Sequence, residues 1–100
     1  MDKSKFNYRV CHPYEERINL QDDFLDVEVD LNGITYRGSV TTTRFIERRL
    51  KEYNETGENQ EGSYFCAKGV VILRDLKEST IKKTLTDLVE TGDLAEFFEF

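Results

Sequence analysis

The sequence predicts an α+β fold: a small antiparallel β-sheet with two helices packed on one of its faces. Three observations carry that prediction. Two stretches alternate between apolar and polar residues on either side of Asn32-Gly33. Two others place apolar residues at helical spacing and stop at a glycine, Gly57 and Gly92. Between those two lies a run rich in β-branched and aromatic residues, from Tyr64 to Leu76. One hundred residues, 38% of them hydrophobic, suffice for one core, because a chain of this length buries about two-thirds of its unfolded surface. A single domain over 1–100 is therefore expected.

Residues 1–21 are the least regular segment. Phe6 to Val10 reads as a short strand, and Pro13, the only proline, marks a chain reversal after it. The pattern sharpens over 24–41. Leu25, Val27, Val29 and Leu31 alternate with Asp26, Glu28 and Asp30; Ile34, Tyr36, Gly38 and Val40 alternate with Thr35, Arg37, Ser39 and Thr41. Asn-Gly tolerates the two positive φ angles of a type I′ turn. A two-residue turn sets Leu31 opposite Ile34, Val29 opposite Tyr36 and Leu25 opposite Val40. The apolar partners then share one face, and Glu28 meets Arg37 on the other.

A helix over 43–56 follows. Thr42 or Thr43 caps it, Gly57 ends it in the left-handed conformation, and Phe45, Ile46, Leu50 and Tyr53 form its buried stripe. A strand near 64–74 comes next. Its Val70-Val71-Ile72-Leu73 run lacks alternation, which predicts a strand buried on both faces or a central one, with Cys66 buried in it. The second helix, 78–91, carries Ile81, Leu85, Leu88 and Val89 on one stripe and stops at Gly92. Asp75 and Glu78 have the spacing of a capping-box variant before it. At the end of the chain, Leu94, Phe97 and Phe98 fit one helical turn or a short edge strand. In either form Phe97 and Phe98 are assigned to the core, and Phe100 to the surface.

No constellation in the sequence carries catalysis, so no enzyme activity is expected. His12 is the only histidine and lies directly after Cys11. A Cys-His pair must face across a pocket with a third group orienting the imidazole, and adjacent residues are poorly placed for that. Zinc needs about four ligands at recognisable spacing. Cys11, His12 and Cys66 do not provide it, and both cysteines are read as reduced thiols. The carboxylates of 22–33 alternate as a strand requires, without the order of a calcium loop. No glycine loop suits a phosphate. No cofactor and no metal are expected. The start of the chain has no apolar signal-peptide core and no stretch is long enough to cross a membrane, so a cytoplasmic protein is expected.

Charge is the remaining signal. The net charge is −6 and the sequence pI about 4.8, the opposite of a nucleic-acid binder. Five acids and no base lie between Asp22 and Asp30, four between Glu52 and Glu61, and five between Asp87 and Glu99. Each run alone reads as a solvated face. Together they read as a surface for a basic protein, drawn from Asp22, Asp23, Asp26, Glu28 and Asp30, with Glu96, Glu99 and Phe100 near the tail. Charge would speed encounter and the aromatic residue would add affinity.

The pattern through Gly62, Tyr64, Phe65, Ala67, Val70 to Leu73, Leu76, Ile81, Leu85, Leu88, Gly92 and Phe98 resembles small bacterial immunity proteins of contact-dependent growth-inhibition and related polymorphic toxin systems. The hairpin and helix upstream fit the same layout, so the likeness covers about residues 24–98. Cys66 departs from it, standing where a large aromatic is expected. The resemblance implies a non-enzymatic antidote that binds the C-terminal toxin domain of a cognate effector in the cytoplasm. The toxin it implies is of nuclease type, with a basic groove that an acidic inhibitor occupies as a phosphate mimic. It implies no binding residue, because immunity surfaces vary with the toxin. A small regulatory or adaptor module for another protein is the alternative.

Overall fold

A computed structural model describes residues 5–11 and 17–99. The elements run β1 (Asn7–Cys11), β2 (Phe24–Leu31), β3 (Ile34–Thr42), α1 (Thr43–Thr56), α2 (Glu58–Gly62), β4 (Val70–Leu73), α3 (Glu78–Thr91) and α4 (Leu94–Phe97). The fold is α+β, with one four-stranded sheet in the order β1-β2-β3-β4.

The hairpin has the register that its alternation requires. Leu31 pairs with Ile34, Val29 with Tyr36, Glu28 with Arg37 and Leu25 with Val40. Asn32 and Gly33 turn the chain at φ 54° and 80°, the left-handed pair of a type I′ turn. β1 pairs antiparallel with β2, Tyr8 beside Val29 and Val10 beside Val27. Leu25, Val27, Val29 and Val40 thus share one buried face. Ile81 and Leu85 of α3, Leu94 of α4 and Phe98 close over it, with Leu73 and Leu76 completing the core.

Phe98 accounts for the aromatic C-terminus. It is 2% exposed, and its ring lies so close over Gly38 that a Cβ there would fall 2.3 Å from a ring carbon. A glycine in mid-strand is explained by this approach of ring to backbone. Beyond Phe98 the chain turns extended, and Glu99 exchanges two backbone hydrogen bonds with Arg37 of β3. The tail therefore combines the helical turn and the strand. Phe97 does not join the core: it is 47% exposed, because the extended step after α4 sends neighbouring side chains to opposite sides.

Both long helices keep the ends read from sequence. The Thr42 hydroxyl caps α1 at the amide of Phe45, and Gly57 and Gly92 end α1 and α3 with φ 85° and 80°. Before α3 the capping is indirect: Asp75 Oδ1 accepts the Lys77 amide at 3.0 Å. This bond and one from the Thr80 side chain, the larger influence, hold the Asp75 carboxyl below its ordinary pKa.

The arrangement differs from the expectation in four further particulars. The sheet is mixed, because β4 runs parallel to β3, Ser39 beside Val70 and Thr42 beside Leu73. A parallel return needs a long crossover, and α1, α2 and residues 63–69 form it. That connection uses up the front half of the expected strand, so Tyr64 to Lys68 are irregular and Cys66 is exposed rather than buried. β4 is also an edge strand and not a central one, with Ile72 54% exposed. Finally, only α3 and α4 cover the sheet face. α1 has no buried residue; it packs mainly on α2 and touches the sheet end through Phe45, whose ring lies 5.5 Å from that of Phe24. Its apolar stripe is spent on Phe24, α2 and Phe65, the last 6.5 Å from Phe45 edge to face.

Candidate partner-binding surface

Strand parity sends every second side chain of the sheet to the face that α3 does not cover. On this open face the pairings align residues from all strands in rows. Arg9, Glu28 and Arg37 form one row across β1, β2 and β3, and the bridge from Arg37 to Glu99 extends it to the tail. The charges alternate along it. Arg9 Nε meets Glu28 at 2.7 Å and Arg37 Nε meets the other oxygen of Glu28 at 3.0 Å. Lys68 Nζ stands 3.6 Å from Glu99. The neighbouring row holds Asn7, Asp30 and Thr35, and Asp30 accepts Arg9 Nη1 at 2.6 Å and the Thr35 hydroxyl at 2.7 Å. On the other side, Asp26 accepts the Ser39 hydroxyl at 3.0 Å.

These contacts set the electrostatics. Hydrogen bonds from Arg37 and then Arg9 lower the pKa of Glu28, and bonds from Arg9 and then Thr35 lower that of Asp30. Arg9 is raised in return, first by Asp30 and then by Glu28. Both carboxylates are charged near neutral pH, but each shares its charge with a guanidinium.

The face changes character toward α1. The Asp26 row ends on Val70 of β4, and past it come Phe24, Thr41 and Ile72, continuous with Phe45 and its neighbour Phe65. The open face is therefore charged at the β2–β3 turn end and apolar at the α1 end.

The candidate residues fall into three groups. Asp26, Glu28 and Asp30 share the open face as expected, and Glu99 joins them through the tail bridge. Asp22 and Asp23 lie beyond the sheet end and serve the chain itself. Asp22 takes Arg48 Nε at 3.0 and 2.9 Å, and Asp23 accepts the amides of Asn19 and Phe24 at 3.1 and 2.9 Å. Glu96 is exposed on α4, apart from the rows. Phe100 lies outside the described residues, as do His12 and Pro13.

Sequence reasoning missed Arg9, Phe24 and Ile72. Arg9 alternates with Tyr8 and Val10, so strand parity puts it on the polar face of β1, and the pairing of β1 with β2 then brings it among the acids. Among the described residues, no group of three or more His, Cys, Asp or Glu side chains is close enough to hold a metal ion. No helix of the described residues is long and apolar enough to cross a membrane. No protein-family model, no curated protein and no solved structure matches the chain.

Proposed function

We propose that this chain is a non-enzymatic binding protein of the immunity type, which neutralises the toxin domain of a cognate effector in the cytoplasm. One observation carries the reading: the charged end of one sheet face is left open, and its polar side chains are already held in place by one another. Arg9, Glu28, Asp30, Arg37 and Thr35 form a bonded lattice across three strands. Fixed side chains lose little entropy on docking, so such a face is preorganised for a protein partner. The net charge of −6 favours a basic one, as a nuclease groove would be, and the resemblance in layout points the same way.

The pairing of acids with Arg9, Arg37 and Arg48 favours a second reading. Of the four carboxylates on the face, Glu28 and Asp30 meet Arg9 and Arg37 and Glu99 stands by Lys68, so its own excess of negative charge is small, and the apolar end around Ile72 and Phe24 would serve an adaptor equally well. The two readings part in the rate of association. A toxin domain, sought among the genes beside this one, is mixed with the protein at low and high salt, as wild type and as Asp26→Lys with Asp30→Lys. On the immunity reading the wild-type rate falls with salt, because the Debye length shrinks to about 3 Å at 1 M, and the double reversal slows association by about tenfold or more. A rate indifferent to salt and to the double reversal would discard the acidic face and move the contact to the basic faces around Arg48 or Lys82, whereas no association at all would leave the adaptor reading.

A further inference from the structure

The two edges of the sheet are protected differently. β1 carries Arg9, with Lys5 just before it, and charge on an edge strand discourages further pairing. β4 is Val-Val-Ile-Leu, without charge or proline, and shortness is its one defence. Ser39 donates its amide to Gly69 O at 2.7 Å. In a parallel ladder this parity turns the main chain of Val71 and Leu73 inward to β3 and that of Val70 and Ile72 outward. Among the described residues no hydrogen bond reaches the outward groups of Val70 and Ile72. Ile72 is also the most exposed large hydrophobic residue there, at 54%.

Beside this edge runs a groove of about 430 Å³ between β4 and α3, lined by Ile72, Leu73, Arg74, Thr80, Lys83 and Thr84. Both charged residues in its lining are basic. Arg74 is held only at 3.7 Å by Asp75, whose oxygens already serve Lys77 and Thr80. Lys83 has no ion pair among the described residues. Lys68, 88% exposed, adds a third cation at the other end of the strand.

We infer that the outer edge of β4 is a docking site for an extended segment of another protein, which adds as a fifth strand. Its main chain pairs with Val70 and Ile72. Its alternate side chains lie over Ile72 on one side and in the groove under α3 on the other, with acidic residues against Arg74, Lys83 and Lys68. The charges argue against a second copy of this chain. The antiparallel register that uses both outward residues of each copy sets Val70 opposite Ile72, and therefore Lys68 opposite Arg74 at both ends. The site uses the outer main chain of β4 and touches the open face only at its apolar end, at Ile72, away from the charged rows, so it stands whether or not those rows bind a toxin.

The probe is an end-blocked, fluorescein-labelled octapeptide alternating valine and threonine, with glutamate at both ends; its counterpart has lysine at both ends. Anisotropy is read against the full chain. The acidic peptide binds, and the lysine peptide binds at least about tenfold more weakly or not at all. Binding slows amide exchange at Val70 and Ile72. Ile72→Pro removes binding; since that amide points outward, proline breaks no ladder bond there, and a melting curve verifies the fold. Arg74→Glu with Lys83→Glu, which leaves the strand intact, reverses the preference between peptides. The proposal fails if neither peptide binds the wild type, or if folded Ile72→Pro binds as well as the wild type. It also fails if the charge reversal leaves the preference unchanged. Sedimentation that detects self-association, with slowed exchange at Val70 and Ile72 in the absence of peptide, assigns the edge to a second copy and overturns it as well.

Discussion

Phe98 and Gly38 hold the C-terminus by a contact that runs against strand preference. Glycine weakens a strand, and valine in its place ordinarily strengthens one. At Gly38 the ring of Phe98 occupies the space a side chain would need. Gly38→Val should therefore destabilise the fold by about 1–3 kcal/mol, as overpacking does. Phe98→Ala should cost about 3–5 kcal/mol, because it empties a fully buried site. The two effects are coupled. With Phe98 already reduced to alanine, valine at 38 meets no ring and its cost should fall sharply. A double-mutant cycle by urea unfolding measures this, and strictly additive effects would mean that the ring does not rest on Gly38. The same contact explains how Glu99 reaches Arg37. Phe98 anchors the chain on the covered face, and the next residue falls by alternation on the open one.

At the scale of elements, α2 is the outlier. Asn59, Gln60 and Glu61 take φ 49°, 53° and 59° in succession, a single left-handed turn made without glycine. Each such residue costs roughly 1–2 kcal/mol against the right-handed form. Gly62, which closes the turn, lies where a Cβ would fall 2.2 Å from the Leu50 carbonyl oxygen, so α2 is pulled against α1 at backbone distance. Gln60→Gly should relieve strain and raise stability by about 1 kcal/mol, whereas Gly62→Ala should lower it; a Gln60→Gly variant less stable than wild type would refute the left-handed turn. No residue pattern announced this turn, since Glu-Asn-Gln-Glu reads only as a polar loop. The hairpin, by contrast, was fully legible. Two alternations and a two-residue turn admit one register, and every pairing follows. The ends of α1 and α3 were legible for the same kind of reason, a glycine at each left-handed stop. The direction and edge position of β4 were not. Four consecutive apolar residues are consistent with burial on both faces, and only the length of the crossover distinguishes a parallel return. The site was half legible. Parity put Asp26, Glu28 and Asp30 on one face with Arg37 opposite Glu28, but Arg9, which meets Glu28 and Asp30, depends on β1, whose pairing joins segments distant in sequence.

The molecule measures 51 × 28 × 21 Å along its principal axes, and its stability is unevenly distributed among its elements. The sheet, α3 and Phe98 share one core. α1 and α2 contain no buried residue and are tied to the rest by a few contacts: Phe45 on Phe24 and Phe65, the Thr42 cap, and Arg48 on Asp22. The Arg48 guanidinium also stands 5.1 Å from the centre of the Phe45 ring, so Phe45 is where most of these ties meet. Helices that rest on half-buried stripes open locally before the core does. Amide exchange should accordingly show α1 opening at a lower free energy than β2 and the middle of α3. Phe45→Ala should lower protection across α1 by about 1–2 kcal/mol, the worth of a partly buried aromatic side chain, while protection in β2 stays as in the wild type. Equal opening energies in α1 and β2, moved together by Phe45→Ala, would instead make the crossover part of one cooperative unit. The division bears on binding. Because α1 extends from the sheet end rather than lying across it, the face with Arg9, Glu28 and Arg37 stays open and the outer edge of β4 stays free. A local opening of α1 would loosen the apolar end of that face around Phe24 and leave its charged end in place.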